Sequence, residues 1–574
     1  MRMNTTTQTD SLRSSLTYEP LELQFGTSGR RGKVVDLTQL EVYINALAEL
    51  EYLQSRDPSE GGIIRGEEFF FARDLRQSSG RFVPEQGGRG EIAQAIAAAI
   101  RDAGMRAVNL GLIPTPAVTC YALARAKGSI MVTGSHIPFD RNGYKTNSSR
   151  GELLKQEEAP INEQVKKVRQ RLYDQRRDES LFDGRGMFKS GHQELPAERP
   201  EARAAWIERF TSFFAGQSLG SVGQALSPAN RERFTNSFAG QSLSGKRILV
   251  YQHSAVGRDL LVEVLERMNA EAIAAGRSDT FVPIDTENIG EPQLATIQAL
   301  AGEAAAQHGP LDAIMSTDGD SDRPLILGVN PVTGQAHFFG GDLVGMVVAE
   351  YLQADAVVVP ISCNDAVDRG TLAGMVEPKT RIGSPFVIAG MQEACRKGKK
   401  RVCGWEANGG FLTGSDIERD GATLKALPTR DAILPILGTL FAAAGKGLRL
   451  VELFARLPKR FSRAALLEQF PRAAGLKLVE FLSPGSDLAR FFTPAMGFGK
   501  ISHVDYTDGV RVLFDNGDVA HVRPSGNADE LRIYAVADTQ DRADAIAAMG
   551  VAEPNGILRC MEKALEGGAA ACTL

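Results

Sequence analysis

Short apolar segments alternate with helical segments along most of the chain, and this alternation restricts the fold more than any other feature. The first cycle contains strand-like Phe69–Ala72, the Ala-rich helical segment Ala93–Ile100, and strand-like Met105–Leu110 and Gly128–Val132. Strands that alternate with helices favour a mostly parallel sheet with right-handed crossover connections.

The same cycle begins again twice further along the chain. Arg247–Tyr251 precedes helical Gly257–Met268, and strand-like Leu311–Ser316 closes the second block. The third block contains a helix and two strands, at Leu343–Leu352, Ala356–Pro360 and Arg401–Gly404. The C-terminal part differs, because it contains three strands suited to antiparallel pairing and then a helix, at Val510–Phe514, Val519–Arg523, Leu531–Val536 and Arg542–Met549.

A chain of 574 residues is too long for one hydrophobic core, so several domains are expected. We predict an α/β protein with three consecutive α/β domains with mixed sheets and a smaller C-terminal α+β domain. The predicted divisions are a flexible N-terminal tail and four domains, at 1–22, 23–200, 201–335, 336–465 and 466–574.

Composition excludes several classes of protein. The content of 43% hydrophobic and 24% charged residues is that of a globular protein, and the net charge of −5 gives no reason to bind nucleic acid or an anionic membrane. The six cysteines form no Cys-x-x-Cys pair, which argues against structural zinc and a disulfide framework. No segment reaches the roughly 20 apolar residues that span a bilayer. We expect a cytoplasmic protein, and its oligomeric state is left open.

An internal duplication lies between the first two blocks. The segment ERFTSFFAGQSLGS at 208–221 is nearly repeated as ERFTNSFAGQSLSG at 232–245. A solenoid needs at least about three stacked repeats, so two copies indicate a local duplication. We expect a surface excursion without a catalytic role.

A serine stands in a sharp turn after the strand-like segment that ends at Val132. The loop reads Thr-Gly-Ser-His-Ile-Pro at 133–138, and Lys145 follows on the next segment. Small residues before Ser135 leave its hydroxyl exposed at the strand end, where open α/β sheets place their ligands. Such a serine can carry a phosphoryl group as a covalent intermediate, with Lys145 as base or charge partner. A plain turn in which Ser135 satisfies the backbone is the alternative.

Three aspartates alternate with small residues directly after the apolar segment LDAIMS. Asp318, Asp320 and Asp322 can converge on one hard cation as the loop curls, and Mg²⁺ prefers such oxygen ligands. An EF-hand is rejected because its later glutamate is absent. Arg323 would lie beside the metal and contact a phosphate. A solvated acidic turn is the alternative.

Two further loops carry groups suited to a sugar phosphate. Arg523, Ser525 and the amides around Gly526 can cradle a phosphate, and Arg532 adds a second positive charge. In the loop Gly-Trp-Glu-Ala-Asn-Gly-Gly at 404–410, the side chains at 406 and 408 could point the same way and bind vicinal hydroxyls. A hairpin turn and a structural Gly-rich turn are the respective alternatives.

Together with FGTSGRRG at 25–32, these loops occur in the order found in the α-D-phosphohexomutase superfamily, which this chain resembles from Phe25 to about Val536. The segments ARDLRQS at 72–78 and IPTP at 113–116 support the resemblance. It implies four domains round a central cleft, each contributing one loop to the active site. It also implies an isomerase that interconverts hexose 6-phosphate and hexose 1-phosphate through a phosphoserine and a hexose 1,6-bisphosphate, which also serves as activator.

The resemblance implies a role for each matching residue. Ser135 carries the phosphate and, with the three aspartates, binds Mg²⁺. Lys145 is the general acid/base, and His136 and Arg31 are the other catalytic residues. The residues that bind the sugar phosphate are Arg323, Gly383, Glu406, Asn408, Arg523, Ser525, Gly526, Asn527 and Arg532.

The chain departs from the usual family pattern at a few positions. Gly134 and Ile137 replace the usual alanine and asparagine of the serine loop, and Asn527 begins a segment where Thr-Glu-Pro is common. The Glu-Ala-Asn-Gly-Gly loop resembles phosphomannomutase-like members, so mannose phosphate is our first choice of substrate and glucose phosphate our second. A sugar-phosphate phosphatase and a non-catalytic sugar-phosphate binder are the alternative functions.

Overall fold

The computed structural model describes residues 10–26, 28–214, 242–287, 289–419, 421–526 and 529–567. Most of the duplicated segment predicted as a surface excursion, 215–241, lies outside the described residues. Its first part, 208–214, ends the helix Glu201–Phe214 and buries Phe210 and Phe214 in the core, so the prediction is wrong for this part. Among the described residues, no helix has the length and apolar character needed to cross a membrane.

The first α/β domain is built on a mixed sheet in which Glu68–Arg73 is an interior strand. This strand pairs in parallel with Arg106–Leu112 on one side and with Ser129–Val132 on the other. Antiparallel strands Arg141–Ser148 and Arg30–Lys33 extend the sheet beyond Ser129–Val132, and Gly151–Glu152 pairs with the former. The main helices are Gln39–Gln54, Ile92–Asp102, Thr115–Leu123 and Glu158–Tyr173.

Between its terminal Glu68 and Arg73, the strand Glu68–Arg73 is apolar because helices cover both of its faces. Consecutive residues Phe69, Phe70 and Phe71 are all fully buried, and they divide between two hydrophobic clusters. A parallel strand covered on both faces has a continuous apolar sequence rather than an alternating one. The ends of this strand and of its parallel neighbour Ser129–Val132 lie together at the edge where the serine loop begins.

Residues 10–22 are fixed against the first domain, which corrects the flexible tail expected up to residue 22. Leu12 lies in the short helix Leu12–Ser15, is fully buried, and donates its amide proton to the carbonyl of Gln175. The amide of Thr17 donates to the carbonyl of Gly184. These partners lie far along the chain, so tertiary contacts rather than local sequence order this segment.

The second domain has a five-stranded mixed sheet. Strand Arg247–His253 pairs in parallel with Glu271–Arg277 and Ala313–Thr317, and the latter pairs antiparallel with Pro324–Val329. Strand Ala336–Phe338 completes the sheet. The helices are Glu201–Phe214, Arg258–Arg267 and Glu291–His308. The aspartate loop is therefore the turn between two antiparallel strands.

The third domain has a smaller mixed sheet. Ala356–Val358 pairs in parallel with Val402–Trp405, which pairs antiparallel with Phe411–Thr413, and Leu427–Asp431 forms the far edge. A separate hairpin joins Ile417–Arg419 and Ala422–Leu424. The helices are Gly341–Tyr351, Ser384–Arg396, Ile433–Gly445 and Leu450–Phe454.

The C-terminal domain has a wholly antiparallel sheet, as expected for its α+β class. Its strands, in spatial order, are Phe461–Glu468, Glu530–Ala537, Val519–Pro524, Val510–Phe514 and Ile501–Asp505. Its helices are Arg472–Phe481, Gln540–Val551 and Ile557–Leu565. The boundary proposed between residues 465 and 466 falls inside the first of these strands, which belongs entirely to this sheet.

The cores of the domains are not equally separate. One large hydrophobic cluster runs through the first three domains and includes Phe70, Val250 and Val348. The C-terminal domain has a cluster of its own, which includes Val512 and Ile533. The first three domains are thus joined by a common core, and the fourth packs beside them.

Candidate active site

Ser135 occupies a strained position at the end of a buried strand. Its φ angle of +54° lies in the left-handed region that residues other than glycine seldom adopt. Its amide donates to Thr133 Oγ1 at 2.7 Å, and its hydroxyl donates to Asp318 Oδ2 at 2.7 Å. Such strain persists where the surroundings fix the backbone, and it is concentrated at functional sites. The serine hydroxyl is therefore held directly against the aspartate loop.

Arg76 fixes the conformation of the serine loop. Its guanidinium donates hydrogen bonds to four main-chain carbonyl oxygens, those of Ser135, Ile137, Pro138 and Arg141. It also lies 3.7 Å from the ring centroid of Phe281. A Cβ atom at Gly134 would lie 2.5 Å from Arg76 Nε, so glycine permits this close approach. Ile137 contributes its main-chain carbonyl oxygen to these hydrogen bonds, a contact that does not depend on its side chain.

The three aspartates form a compact set of buried oxygens. Side chains of Asp318, Asp320 and Asp322 are at most 1% exposed, and one oxygen from each lies within 4.8 Å of the others. Asp320 Oδ1 and Asp322 Oδ1 are buried and accept no hydrogen bond from the described residues. An all-oxygen set with free acceptor atoms fits Mg²⁺. These residues and their geometry can therefore hold the predicted metal.

The electrostatics of the aspartates also favour a cation. Burial, together with the neighbouring carboxylates of Asp320 and Asp322, raises the pKa of Asp318 well above its usual range. Burial opposes the ionisation of Asp322, but Arg430, Lys145 and Arg323 together hold its pKa below the usual range. A bound divalent cation would reduce the repulsion between these carboxylates.

Lys145 joins the first domain to the aspartate loop. Its ammonium group donates to Asp320 Oδ2 and to Asp322 Oδ2, each at 2.7 Å. Thr115, in the IPTP segment, also donates to Asp320 Oδ2, at 2.6 Å. Lys145 is mostly buried, on the strand Arg141–Ser148 next to the strand that leads to Ser135. The structure therefore brings Ser135, Lys145 and the three aspartates into one site.

His136 and Arg31 lie beside this site, and both are influenced by Arg323. Arg323 Nη1 donates to His136 Nδ1 at 2.9 Å. Burial and the cations of Arg323 and Arg31 lower the pKa of His136 well below its usual range, so the imidazole is neutral. Burial and Arg323 lower the pKa of Arg31 to about 10, which leaves it positively charged at neutral pH. The cationic groups here are therefore the arginines, and His136 acts as a neutral hydrogen-bonding group.

Glu406 and Asn408 stand in the turn between strands Val402–Trp405 and Phe411–Thr413. Both side chains are largely buried. Both residues line a cleft that receives residues from all four domains. Asn408 Oδ1 accepts from the amide of Gly410 at 3.0 Å, and the Asn408 carbonyl accepts from Thr286 Oγ1 at 2.7 Å. The second domain therefore holds in place the loop at 404–410, which we call the sugar loop.

Arg430 is a buried cation that the sequence did not single out. Its Nε donates to Asp322 Oδ2 at 3.0 Å and its Nη1 donates to Glu406 Oε2 at 3.0 Å. It lies in the edge strand Leu427–Asp431, and its side chain is 2% exposed. Arg430 thus connects the aspartate loop with the sugar loop by two ion pairs.

The predicted phosphate-binding residues of the C-terminal domain line the same cleft. Arg523, Ser525, Gly526 and Arg532 all face it, whereas Asn527 lies outside the described residues. Arg532 pairs with Glu530 at 2.7 Å, and Arg523 Nε lies 3.4 Å from Asp508 Oδ1. Glu530 and Asp508 balance part of the charge of these two arginines, and the remaining N–H groups of both guanidinium groups can donate to a phosphate.

Gly383 lies beside the cleft at the junction of the third and fourth domains. It has a φ angle of +127° and directly precedes the helix Ser384–Arg396. Its neighbour Ile382 lines the cleft, and the Ile382 amide donates to Asp508 Oδ2 at 2.9 Å. A glycine is needed here because other residues seldom adopt this backbone conformation.

The cleft encloses about 770 Å³ and receives residues from all four domains. Among the residues that line or support it, Asp285, Glu287 and Arg430 lie outside every motif recognised in the sequence. One signal could have identified Arg430, because a buried arginine in the apolar context LPTRDAIL requires a carboxylate partner. The others are recognisable only from the folded chain.

Comparisons with known proteins agree with this arrangement. Family models match three segments: phosphoglucomutase/phosphomannomutase alpha/beta/alpha domain I at 22–172, domain III at 340–461 and the C-terminal domain at 462–553. A phosphomannomutase of Sinorhizobium fredii is 36% identical, over 93% of this chain and 98% of that protein. A phosphomannomutase of Salmonella muenchen is 35% identical, over 91% and 93%.

A solved structure has the same fold. The chain is similar to a phosphoglucomutase/phosphomannomutase family protein from Burkholderia thailandensis, with a TM-score of 0.64 and 16% identity. The likeness covers 96% of this chain and 100% of that protein. The order of the four domains is therefore shared along essentially the whole length of both chains.

Proposed function

The chain belongs to the phosphoglucomutase/phosphomannomutase family, and from this premise we propose that it interconverts mannose 6-phosphate and mannose 1-phosphate. Two relatives that are 36% and 35% identical to this chain over most of their length are phosphomannomutases. The observation that carries the proposal is the hydrogen bond of 2.7 Å that the buried Ser135 hydroxyl donates to Asp318, beside a cleft lined by His136, Arg323 and further arginines.

The first half of the reaction transfers a phosphoryl group from phosphorylated Ser135 to the sugar. The phosphate of a hexose 6-phosphate binds near Arg523 and Ser525, which directs the O1 hydroxyl toward the serine. O1 forms a bond to phosphorus as the bond from phosphorus to Ser135 Oγ breaks. The proton lost from O1 passes to Ser135 Oγ, with Lys145 as the proposed relay. The product is a hexose 1,6-bisphosphate.

The second half repeats these steps with the bisphosphate turned end for end. Its 6-phosphate then lies at Ser135, the phosphoryl group returns to the serine, and hexose 1-phosphate leaves. The cationic end of the cleft must therefore accept either phosphate. Arg523, Arg532 and the amides near Gly526 suit this task, because they recognise phosphate oxygens without contacting a particular sugar carbon.

Charge neutralisation and positioning account for most of the catalysis expected in phosphoryl transfer. Asp318, Asp320 and Asp322 would hold Mg²⁺, which would supply positive charge to stabilise the transferring phosphoryl group. Arg323 and Arg31 add fixed cations on the same side of the cleft. Since a bisphosphate that escapes leaves Ser135 without its phosphate, we propose hexose 1,6-bisphosphate as the activator.

The phosphoserine must also be protected from water. The C-terminal domain has its own hydrophobic core, whereas the first three domains share theirs. We propose that this domain closes over the bound sugar, because its loop at Arg523 and its separate core allow it to move as a unit. Closure would exclude water and strengthen the electrostatic contacts in the cleft.

The experiment that tests this function is interconversion of mannose 1-phosphate and mannose 6-phosphate, with glucose 1-phosphate in parallel. Assays contain Mg²⁺ and a trace of hexose 1,6-bisphosphate. We expect reversible isomerisation with a preference for mannose phosphate. Release of inorganic phosphate without isomerisation would replace the mutase by a phosphatase, and binding without turnover would indicate a non-catalytic binder.

A further inference from the structure

A short segment of the second domain reaches the sugar loop of the third. It follows strand Glu271–Arg277 and precedes helix Glu291–His308. Thr286 is 1% exposed, and its hydroxyl donates to the carbonyl of Asn408 at 2.7 Å. Ile284 and Ile289 are buried in the core of the second domain. These contacts fix the position of the intervening residue, Glu287.

Glu287 lines the active-site cleft together with Glu406 and Arg323. Within the part of the chain that the structure describes, its carboxylate makes no hydrogen bond and no ion pair within 4.0 Å. Its amide donates to Asp285 Oδ1 at 3.1 Å, which turns the backbone at this point. The carboxylate is therefore held in the cleft by its backbone and is not used to stabilise the fold.

Among the residues that the structure describes, no cation lies within contact distance of the Glu287 carboxylate. Burial raises its pKa to about 7, with further contributions from Asp285 and Glu406, whereas Arg532 and Arg323 act in the opposite direction. Glu287 is only partly exposed, and a carboxylate that loses part of its hydration without gaining hydrogen-bond donors is costly to maintain. A ligand that brings hydrogen-bond donors would remove this cost.

The chemistry of the cleft indicates which part of the ligand supplies these hydrogen-bond donors. A phosphate carries only negative charge and acceptor oxygens near neutral pH, so a phosphate beside Glu287 and Asp285 would be repelled. Ring hydroxyls of a sugar are donors, and carboxylates bind them well. The neighbouring Glu406 stands in the same cleft and already has Arg430 as a partner. Among the described residues, Glu287 is therefore a carboxylate of the cleft whose acceptor capacity is still available.

We propose that Glu287 accepts a hydrogen bond from a ring hydroxyl of the bound hexose phosphate and is a specificity-determining residue of the second domain. The inference rests on the proposed function, because it names how that same site recognises its sugar. Glu406 and Glu287 then contact the ring from the third and second domains respectively. A sugar that must bind in two orientations meets a carboxylate on each of these domains.

The test is a cycle that combines protein variants with deoxy sugars. We compare Glu287→Ala, Glu287→Gln and wild type, with mannose 1-phosphate and with hexose 1-phosphates that lack one ring hydroxyl at C2, C3 or C4. Glu291→Gln is the matched control, since it removes an exposed carboxylate a few residues further on, outside the cleft. Thermal denaturation of each variant shows whether the fold is retained.

We expect Glu287→Ala to lower kcat/KM for mannose 1-phosphate by about 10- to 100-fold, as for loss of a hydrogen bond to a charged group. Glu287→Gln should recover part of the loss because its amide oxygen still accepts. With one of the deoxy sugars, the difference in kcat/KM between Glu287→Ala and wild type should nearly vanish, because that sugar lacks the ring hydroxyl that Glu287 binds. Glu291→Gln should behave as wild type.

The outcomes separate this inference from the proposed function. A wild-type protein that interconverts no hexose phosphate refutes the proposed function, and the role of Glu287 with it. An active wild type whose Glu287→Ala variant has unchanged kcat/KM refutes only the role of Glu287. An equal loss with every deoxy sugar would mean that Glu287 supports the cleft and contacts no ring hydroxyl, which also overturns the inference.

Discussion

Replacement of Arg430 by methionine tests how the aspartate loop and the sugar loop depend on each other. The guanidinium pairs with Asp322 at 3.0 Å and with Glu406 at 3.0 Å. All three side chains are at most 4% exposed. Methionine has a similar length, so it fills most of the volume and removes the charge.

The size of the effect follows from the burial of the pairs. Removing one partner of a buried ion pair costs about 3–5 kcal/mol, because the remaining charge is left uncompensated. Asp322 keeps Lys145 as a second partner at 2.7 Å, so we take the lower end of this range for its effect on catalysis. About 3 kcal/mol corresponds to a loss of roughly 100-fold in kcat/KM.

The assay is steady-state kinetics with mannose 1-phosphate over a range of Mg²⁺ concentrations, beside thermal denaturation. We expect a higher KM, because Glu406 loses the group that orients it, and a lower kcat, because Asp322 is displaced. The kcat/KM of Arg430→Lys should lie between those of the wild type and Arg430→Met, because one ammonium group can pair with only one of the two carboxylates. Arg396→Met is the control, as Arg396 is 72% exposed and its pair with Glu393 contributes little.

Two results would refute the role of Arg430 in coupling the aspartate loop to the sugar loop. If Arg430→Met and Arg396→Met both retained the kinetics of the wild type, the contacts of Arg430 would have no part in catalysis. If Arg430→Met lost stability with unchanged kcat and KM, Arg430 would support the fold alone. The ion pairs would then not couple the two loops.

Three further predictions use other features of the site and its support. Arg76→Met should destabilise the protein by about 3 kcal/mol or more and lower kcat, since it removes four hydrogen bonds that shape the serine loop; thermal denaturation and kinetics test this. Burial raises the pKa of Asp431 from 3.8 to about 6. Across the pH window between these two values, the folded state keeps a proton on Asp431 that the unfolded state has lost. Stability should therefore fall as pH rises through it, by about 3 kcal/mol at most, and Asp431→Asn should abolish that fall in denaturation midpoints. Chelation of divalent cations should abolish isomerisation, and Mg²⁺ should restore it in wild type but only at higher concentration in Asp320→Asn.

Much of the fold was predictable because local patterns decide it. The strand Val510–Phe514 was predicted with its observed limits, and Ser129–Val132 to within one residue. Apolar runs bounded by glycine or charged residues leave little choice of conformation. The aspartate loop and the serine loop were recognised because each chemistry requires particular residue types at close spacing.

The features that escaped prediction depend on contacts between distant parts of the chain. Arg430 meets Asp322 across 108 positions, and Thr286 meets Asn408 across 122. No periodicity or motif records such a pairing. The order of residues 10–22 has the same origin, because Leu12 is fixed by its contact with residue 175. Sequence patterns identify the loops, whereas tertiary packing decides which side chains support them.

The central claim is that Ser135 carries the phosphoryl group between the two positions of the sugar. The most direct measurement is mass spectrometry of the protein after reaction with hexose 1,6-bisphosphate, followed by a chase with mannose 6-phosphate. We predict one phosphate, located on the peptide that contains Ser135, which disappears in the chase as mannose 1,6-bisphosphate forms. A phosphate on another residue, or isomerisation by Ser135→Ala at the wild-type rate, would contradict the account.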